Sequence, residues 1–337
     1  MKSGVLLDWA LALLLALLLA WCPDSRALTP VLTPGLPVTV PTGLEPRRTL
    51  DLQGYADAQG AISVLHQGPR VDPYFALQAL LLARDHGVDV LDLQARFIDW
   101  LAQAQPATGV LARYCRAAQG WRACARADAD DAALALWLRL LRGVPAAQRP
   151  GLRADLLQAR AEQQLRALYH PRTGLYIVSP ELPYSLWMDN LEVWTAWPQR
   201  ALSEALMAHF WQPQQQRFRT STQPGHRERP ERFYPEQTAQ IYPLLTGWLP
   251  PGQDAAALYA RWMQAHRGDW LAHMAHDYPW APIALLAWQH GDTSSVRCWQ
   301  QRAAPMRHGH RWTVTDEVVA QLLPPLQDPP PTKEDCQ

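Results

Sequence analysis

Tyr169-His170-Pro171-Arg172-Thr173-Gly174-Leu175-Tyr176 is the stretch on which the reading of this chain turns. Its order is an aromatic residue, a proline, a Thr-Gly turn and then a short segment of strand character. Phe210-Trp211-Gln212-Pro213-Gln214-Gln215-Gln216-Arg217-Phe218 repeats that outline, and Thr108-Gly109-Val110-Leu111 echoes the turn. A pattern that returns at intervals of roughly 40–60 residues means that one structural unit is used several times.

Working outward, the unit becomes visible. A short extended segment leads through a polar loop carrying an acid into an apolar helix; a turn and a more polar helix follow. The spacing predicts leading helices over 72–85, 131–141, 184–197, 235–245 and 277–290, with partners over 90–104, 152–168, 200–210, 254–266 and 293–303. A sixth, incomplete unit begins near Thr315-Asp316-Glu317. Pro73, Pro235 and Pro279 stand where helices begin, since the first helical residue needs no N–H donor, and acids just before them cap the new helix. Ala132-Ala133-Leu134-Ala135-Leu136-Trp137-Leu138 is apolar all round, so the leading helices are expected inside. The partners carry Arg and Gln faces and are expected outside. The fold class expected is all-α, a closed array of five to six helical hairpins joined by short β-hairpins.

Composition supports a large packed core: 48% of the 337 residues are hydrophobic and 18% are charged. The formal net charge is zero and no Lys/Arg run occurs, which gives no basis for nucleic acid as a partner. Sixteen Trp against five Phe hints at stacking surfaces, because Phe would fill a core equally well.

Residues 1–27 read as a secretory signal or N-terminal anchor: Lys2, an apolar run from Trp9 to Trp21, and Ser25-Arg26-Ala27 as a cleavage candidate. The run is short for a spanning helix, although Val5 to Leu7 could lengthen it into a membrane tether. Residues 28–48 form a Pro-rich tether, 49–323 the folded domain and 324–337 a Pro-rich tail. The protein is expected to be periplasmic or secreted. Four cysteines remain beyond the signal, an even number that suits an oxidising compartment. Cys115 and Cys124 bracket Gly120 and could staple a hairpin, leaving Cys298 and Cys336 to tie down the tail. There is no CxxC and no His/Cys cluster at zinc spacing, so neither a metal nor another cofactor is expected.

The repeat, with its turns of the form Tyr-x-Pro-x-Thr-Gly-Leu-Tyr at 169–176, resembles the six-hairpin (α/α)-toroid glycosidase-like proteins over most of 55–323. Trp187-Met188-Asp189-Asn190-Leu191 looks somewhat like the segment that carries a catalytic aspartate in unsaturated glucuronyl or rhamnogalacturonyl hydrolases. Ala127-Asp128-Ala129-Asp130-Asp131-Ala132 is loosely similar to a segment of endoglucanase-like glycoside hydrolases, but the stretch that holds their general acid is missing. The resemblance implies a site at the N-terminal ends of the inner helices.

That is where the acids of this chain fall. Asp189 and Glu192 are three residues apart and share one helical face. Glycoside hydrolysis needs one protonated carboxyl and one carboxylate, with environments that push their pKa values apart. Asp189, with Asp130, Asp131, Glu192 or Glu236, is expected to carry the chemistry; Trp187, Tyr184, Trp194, Tyr234, His276, Asp277, Tyr278 and Trp280 are expected to hold sugar. Each acid also suits an ordinary helix cap, and Asp72 and Asp277 fit that role best. The expected function is an exported glycoside hydrolase acting on a bacterial exopolysaccharide or oligosaccharide. A non-catalytic glycan-binding or scaffold protein and a lyase of uronic-acid polymers are the alternatives; arginines in the same loops, Arg113, Arg126, Arg229 and Arg232, favour anionic glycans.

Overall fold

In a computed structural model, residues 49–105, 109–325, 332 and 336 are described. The signal and tether segments over 1–48, Thr108 of the first turn and most of the Pro-rich tail lie outside them. The described residues are mostly helical, with eleven α-helices and three small antiparallel sheets.

Six helices form the leading series: α1 (Pro73–Asp85), α3 (Asp130–Arg142), α5 (Trp187–Ala196), α7 (Thr238–Thr246), α9 (Ala281–Gln289) and α11 (Val314–Leu322). Each packs against the next in chain order, and α11 packs back against α1. Their sequences explain why they are inside: eleven of the thirteen residues of α3 are buried, so no face is left for water. The partners are α2 (Leu91–Ala104), α4 (Ala154–Ala167), α6 (Arg200–Phe210), α8 (Ala255–His273) and α10 (Thr293–Ala303). They keep one apolar stripe, as in α4, where only Ala154, Leu157, Ala161 and Leu165 are buried. These spacings of three and four residues define a single inward face.

Three boundaries differ most from the sequence reading: α9 starts at Ala281, two residues beyond Pro279 and not near 277, and α8 and α7 depart as well. Helix α8 runs on to His273, past the expected end at 266, with Gly268 inside it. The weak helix propensity of glycine is overridden because Trp270 and Leu271 beyond it are buried at 0% and 2% exposure. Helix α7 starts at Thr238 because Phe233–Gln237 form a π-helical turn instead.

The turns are built as the repeat implies. Strands β1 (Arg70–Val71), β2 (Ala112–Ala117) and β3 (Gly120–Arg126) form one sheet; β4 (Tyr169–His170) pairs with β5 (Leu175–Tyr176), and β6 (Trp211–Gln212) with β7 (Arg217–Phe218). Disulfides join Cys115 to Cys124 across the β2–β3 hairpin and Cys298 of α10 to Cys336. In the chain-entropy picture the wider loop of the second pair stabilises more, about 4 kcal/mol against about 2.5 for the first.

The two copies of the Pro-turn fill their left-handed corner with different residues. Gly174 has φ +71°, and the equivalent corner in the second copy is Gln216 at φ +51°. A side chain in the left-handed region costs roughly 1 kcal/mol that glycine avoids. Gln216→Gly is therefore expected to stabilise by about 0.5–1 kcal/mol. Gly174→Ala should destabilise by more than this, because its new Cβ would also stand 3.2 Å from Ala205 Cβ. Urea midpoints of the single variants measure both, and equal, unchanged midpoints would contradict the reading.

Candidate functional site

The site grows from the segment that leads into α5. Ser185 N donates to Thr222 Oγ1 at 2.9 Å and Trp187 N donates to Thr220 O at 2.9 Å, so the chain entering α5 is fixed along residues 220–222. Asn190 is fully buried: its Oδ1 accepts from Tyr176 N at 2.8 Å, while Nδ2 donates to Tyr176 O and Leu186 O. The helix is thereby locked to β5, and Asp189 and Glu192 are held on a fixed face.

Glu192 is the best-held acid. Its Oε1 accepts from Tyr74 Oη of α1 at 2.7 Å and from Tyr242 Oη of α7 at 2.6 Å, and the two hydroxyls are 3.2 Å apart. Burial raises its pKa to about 7, against the lowering pull of the two tyrosine hydrogen bonds and the Arg139 charge. Its Oε2 is buried and has no partner among the described residues.

Asp131, the second residue of α3, is fully buried, and neither carboxylate oxygen has a well-formed hydrogen bond. Two effects compete here. The helix N-terminus favours the anion by about 0.3–1 kcal/mol, whereas burying an unpaired carboxylate costs several kcal/mol. Burial wins. With the charges of Asp189 and Glu192 added, the Asp131 pKa is raised well above the usual carboxylate range despite nearby backbone amides. Asp189 is half-buried, with Oδ2 buried and unpartnered; burial, then the charges of Glu192 and Asp128, lift its pKa to about 8.

Around this cluster stand more polar groups. The Asp128 side chain is exposed and lies 3.4 Å from Arg113, whose Nε donates to Asp72 at 2.7 Å. Asp72 also accepts from Tyr74 N as the cap of α1. Tyr234 is 45% exposed, its hydroxyl held protonated by burial and by the charges of Asp189, Asp128, Glu192 and Asp277. Its ring lies 5.2 Å from Trp280, and Tyr278 lies 6.5 Å from Phe75. The result is a set of acids, two of them aspartates favouring the neutral form, beside a partly exposed aromatic edge.

Several expected residues lie elsewhere. Trp187 is not a sugar platform: its ring is fully buried, 4.2 Å from Phe218, and its Nε1 donates to Ala239 O at 2.8 Å. As the first residue of α5 it faces the core. Trp194, two turns further on, packs against the same core. Asp130 approaches Arg126, 3.7 Å off, and burial raises its pKa. Glu236 accepts from Arg229 N at 3.0 Å and approaches His226 and Glu228, not the other acids. Tyr184 is half-buried, its carbonyl accepting from Val178 N. Asp277 is bound to His273 Nε2 at 3.0 Å, and His276 is exposed at the turn after α8.

Tyr74 and Tyr242 were missed by sequence reasoning, and Asp128 was ranked behind its neighbours. A signal existed for the tyrosines: a hydroxyl in a buried helix needs a partner, and so does a glutamate one turn inside an apolar one. Two surface hollows, of about 250 and 330 Å³, are lined by other residues, among them Tyr55, His66 and Glu317 in the first, and Tyr169, Tyr176 and Trp197 in the second. Compared with models of known protein families and with curated proteins, the sequence matches none.

Because the folded state binds the Asp189 proton more tightly than the unfolded chain, the stabilising contribution is complete below about pH 4 and is lost as pH rises toward about 8. Asp189→Asn removes that loss. Its melting temperature relative to wild type should rise steadily between pH 4 and pH 8; a difference independent of pH would contradict the assignment.

Proposed function

We propose that the chain is an exported (α/α) toroid of five to six helical hairpins, the last incomplete, that hydrolyses glycosidic bonds in a bacterial exopolysaccharide or oligosaccharide. The neighbour order of α1, α3, α5, α7, α9 and α11, with the last against the first, supports the toroid. The disulfides support an oxidising compartment. Among the described residues no helix is long and apolar enough to cross a membrane; the proposed signal or anchor lies outside them.

One observation carries the catalytic reading: Asp189 is half-buried with a buried, unpartnered Oδ2, a setting that, with the charges of Glu192 and the exposed Asp128, raises its pKa to about 8. One carboxyl in a water-poor setting and one in a polar, solvated setting is the division of labour that glycoside hydrolysis requires. In this reading Asp189 protonates the leaving oxygen. Asp128, steadied by Arg113, serves the attacking water or the oxocarbenium-like centre. Glu192 and Asp131 do not touch substrate; they raise the Asp189 pKa or share its proton-rich, desolvated setting. Tyr234 and Trp280 offer faces for a sugar ring.

The lyase reading is weaker on this geometry. Tyr234 holds its proton more tightly than a free tyrosine, the opposite of what a base needs, and Arg113 is committed to Asp72 and Asp128.

The assay is release of reducing ends from a panel of bacterial polysaccharides, with ultraviolet absorbance read in parallel for unsaturated ends. Reducing ends without absorbance, with kcat/KM falling as pH rises past about 8, are expected. Asp189→Asn should lose about 100-fold or more. Glu192→Gln removes a negative neighbour of Asp189 and should shift the basic limb to lower pH. Binding without turnover by every variant, wild type included, would overturn the enzyme reading and leave a glycan-binding protein.

A further inference from the structure

The loop between β7 and the π-helical turn, residues 219–232, folds back on itself around a group that the proposed chemistry does not use. Thr220 N donates to Glu228 Oε1 at 2.8 Å, and Thr220 Oγ1 lies 3.0 Å from the same oxygen. Thr220 Oγ1 is also 2.9 Å from His226 Nε2, which stands 3.4 Å from Glu228 Oε1. Glu236 arrives from the π-helical turn. Ligand atoms of His226, Glu228 and Glu236 all lie within 4.8 Å of one another.

Glu236 is the telling residue. It is 2% exposed; Oε1 accepts from Arg229 N at 3.0 Å, and Oε2 is buried with no partner among the described residues. A buried carboxylate oxygen without a donor is costly, and a cation at the centre of the three side chains would remove that cost. Arg217 lies 3.5 Å from Glu228 on its other oxygen, Oε2, and so leaves Oε1 on the histidine side. The backbone amides of Thr220 and Arg229 fix one oxygen of each carboxylate, as supporting groups do at metal sites.

We propose that His226, Glu228 and Glu236 bind a divalent cation of the zinc or manganese type. One imidazole with two carboxylates suits such ions, whereas Ca²⁺ prefers six to eight oxygens. Bond lengths near 2.0–2.2 Å would draw the ligand atoms to about 3–4 Å apart, a small closure from the present spacing. The ion would clip the 220–228 loop to the turn that carries Tyr234 two residues before Glu236. It stands independently of the catalytic assignment.

The test uses the full chain, freed of metal by chelator and titrated with Zn²⁺ by calorimetry and by thermal melting. One tight equivalent and a rise in melting temperature are expected, since an ion that binds only the folded state stabilises it. His226→Ala and Glu236→Gln should each weaken binding at least tenfold. Glu236→Gln keeps an acceptor for Arg229 N and so reads the site even if the histidine variant folds poorly. His308→Ala, in the separate stacked pair with His66, should leave the tight equivalent intact. Absence of a stoichiometric site, or a site lost with His308 but retained without His226, would overturn the proposal.

Discussion

The structure depends on one buried arrangement: the Glu192 carboxylate gripped by the hydroxyls of Tyr74 and Tyr242. These three side chains come from α5, α1 and α7, so a single oxygen ties together helices far apart in sequence. The arrangement is costly if broken, because a buried acceptor that loses its donors keeps its full desolvation penalty. It also sets the electrostatics of its surroundings. A Glu192 charge beside Asp131 and Asp189 discourages both from ionising, and burial acts in the same direction. Asp131 and Asp189, crowded where helix N-termini would favour anions, are thus pushed toward the neutral form.

Much of the helical frame could be read from the chain. Apolar runs such as 132–138 leave no solvent face, and the matching Pro-turns at 169–176 and 210–218 mark where one unit hands over to the next. The close spacing of Cys115 and Cys124 suggested their pairing, and Cys298 with Cys336 followed only as the remaining pair; both form. The boundaries of α7 and α8 were not legible. At Gly268 and around Pro235, tertiary packing and local backbone geometry outweigh residue propensity.

The site was legible only by position. Acids at helix starts were visible, but which way each one turns depends on partners remote in sequence. Trp187 lies two residues before Asp189, yet its ring is drawn into the core by Phe218, Phe210 and Trp248. Asp130 and Asp131 are adjacent, and the helix sends one to Arg126 and seals the other. Glu236 resembles the other junction acids in sequence, but the π-helical turn points it toward His226 and Glu228. No spacing rule reveals that trio, because its members are gathered by a folded-back loop and not by a helical or Cys/His period.

The central claim is that protonated aspartic acid persists in this cluster at neutral pH. The most direct measurement is the infrared carbonyl band of neutral carboxyl in protein carrying carbon-13 aspartate. The account expects such a band at pH 7, weakening as pH passes about 8 and diminished in Asp189→Asn. A spectrum at pH 7 showing every aspartate ionised would contradict it.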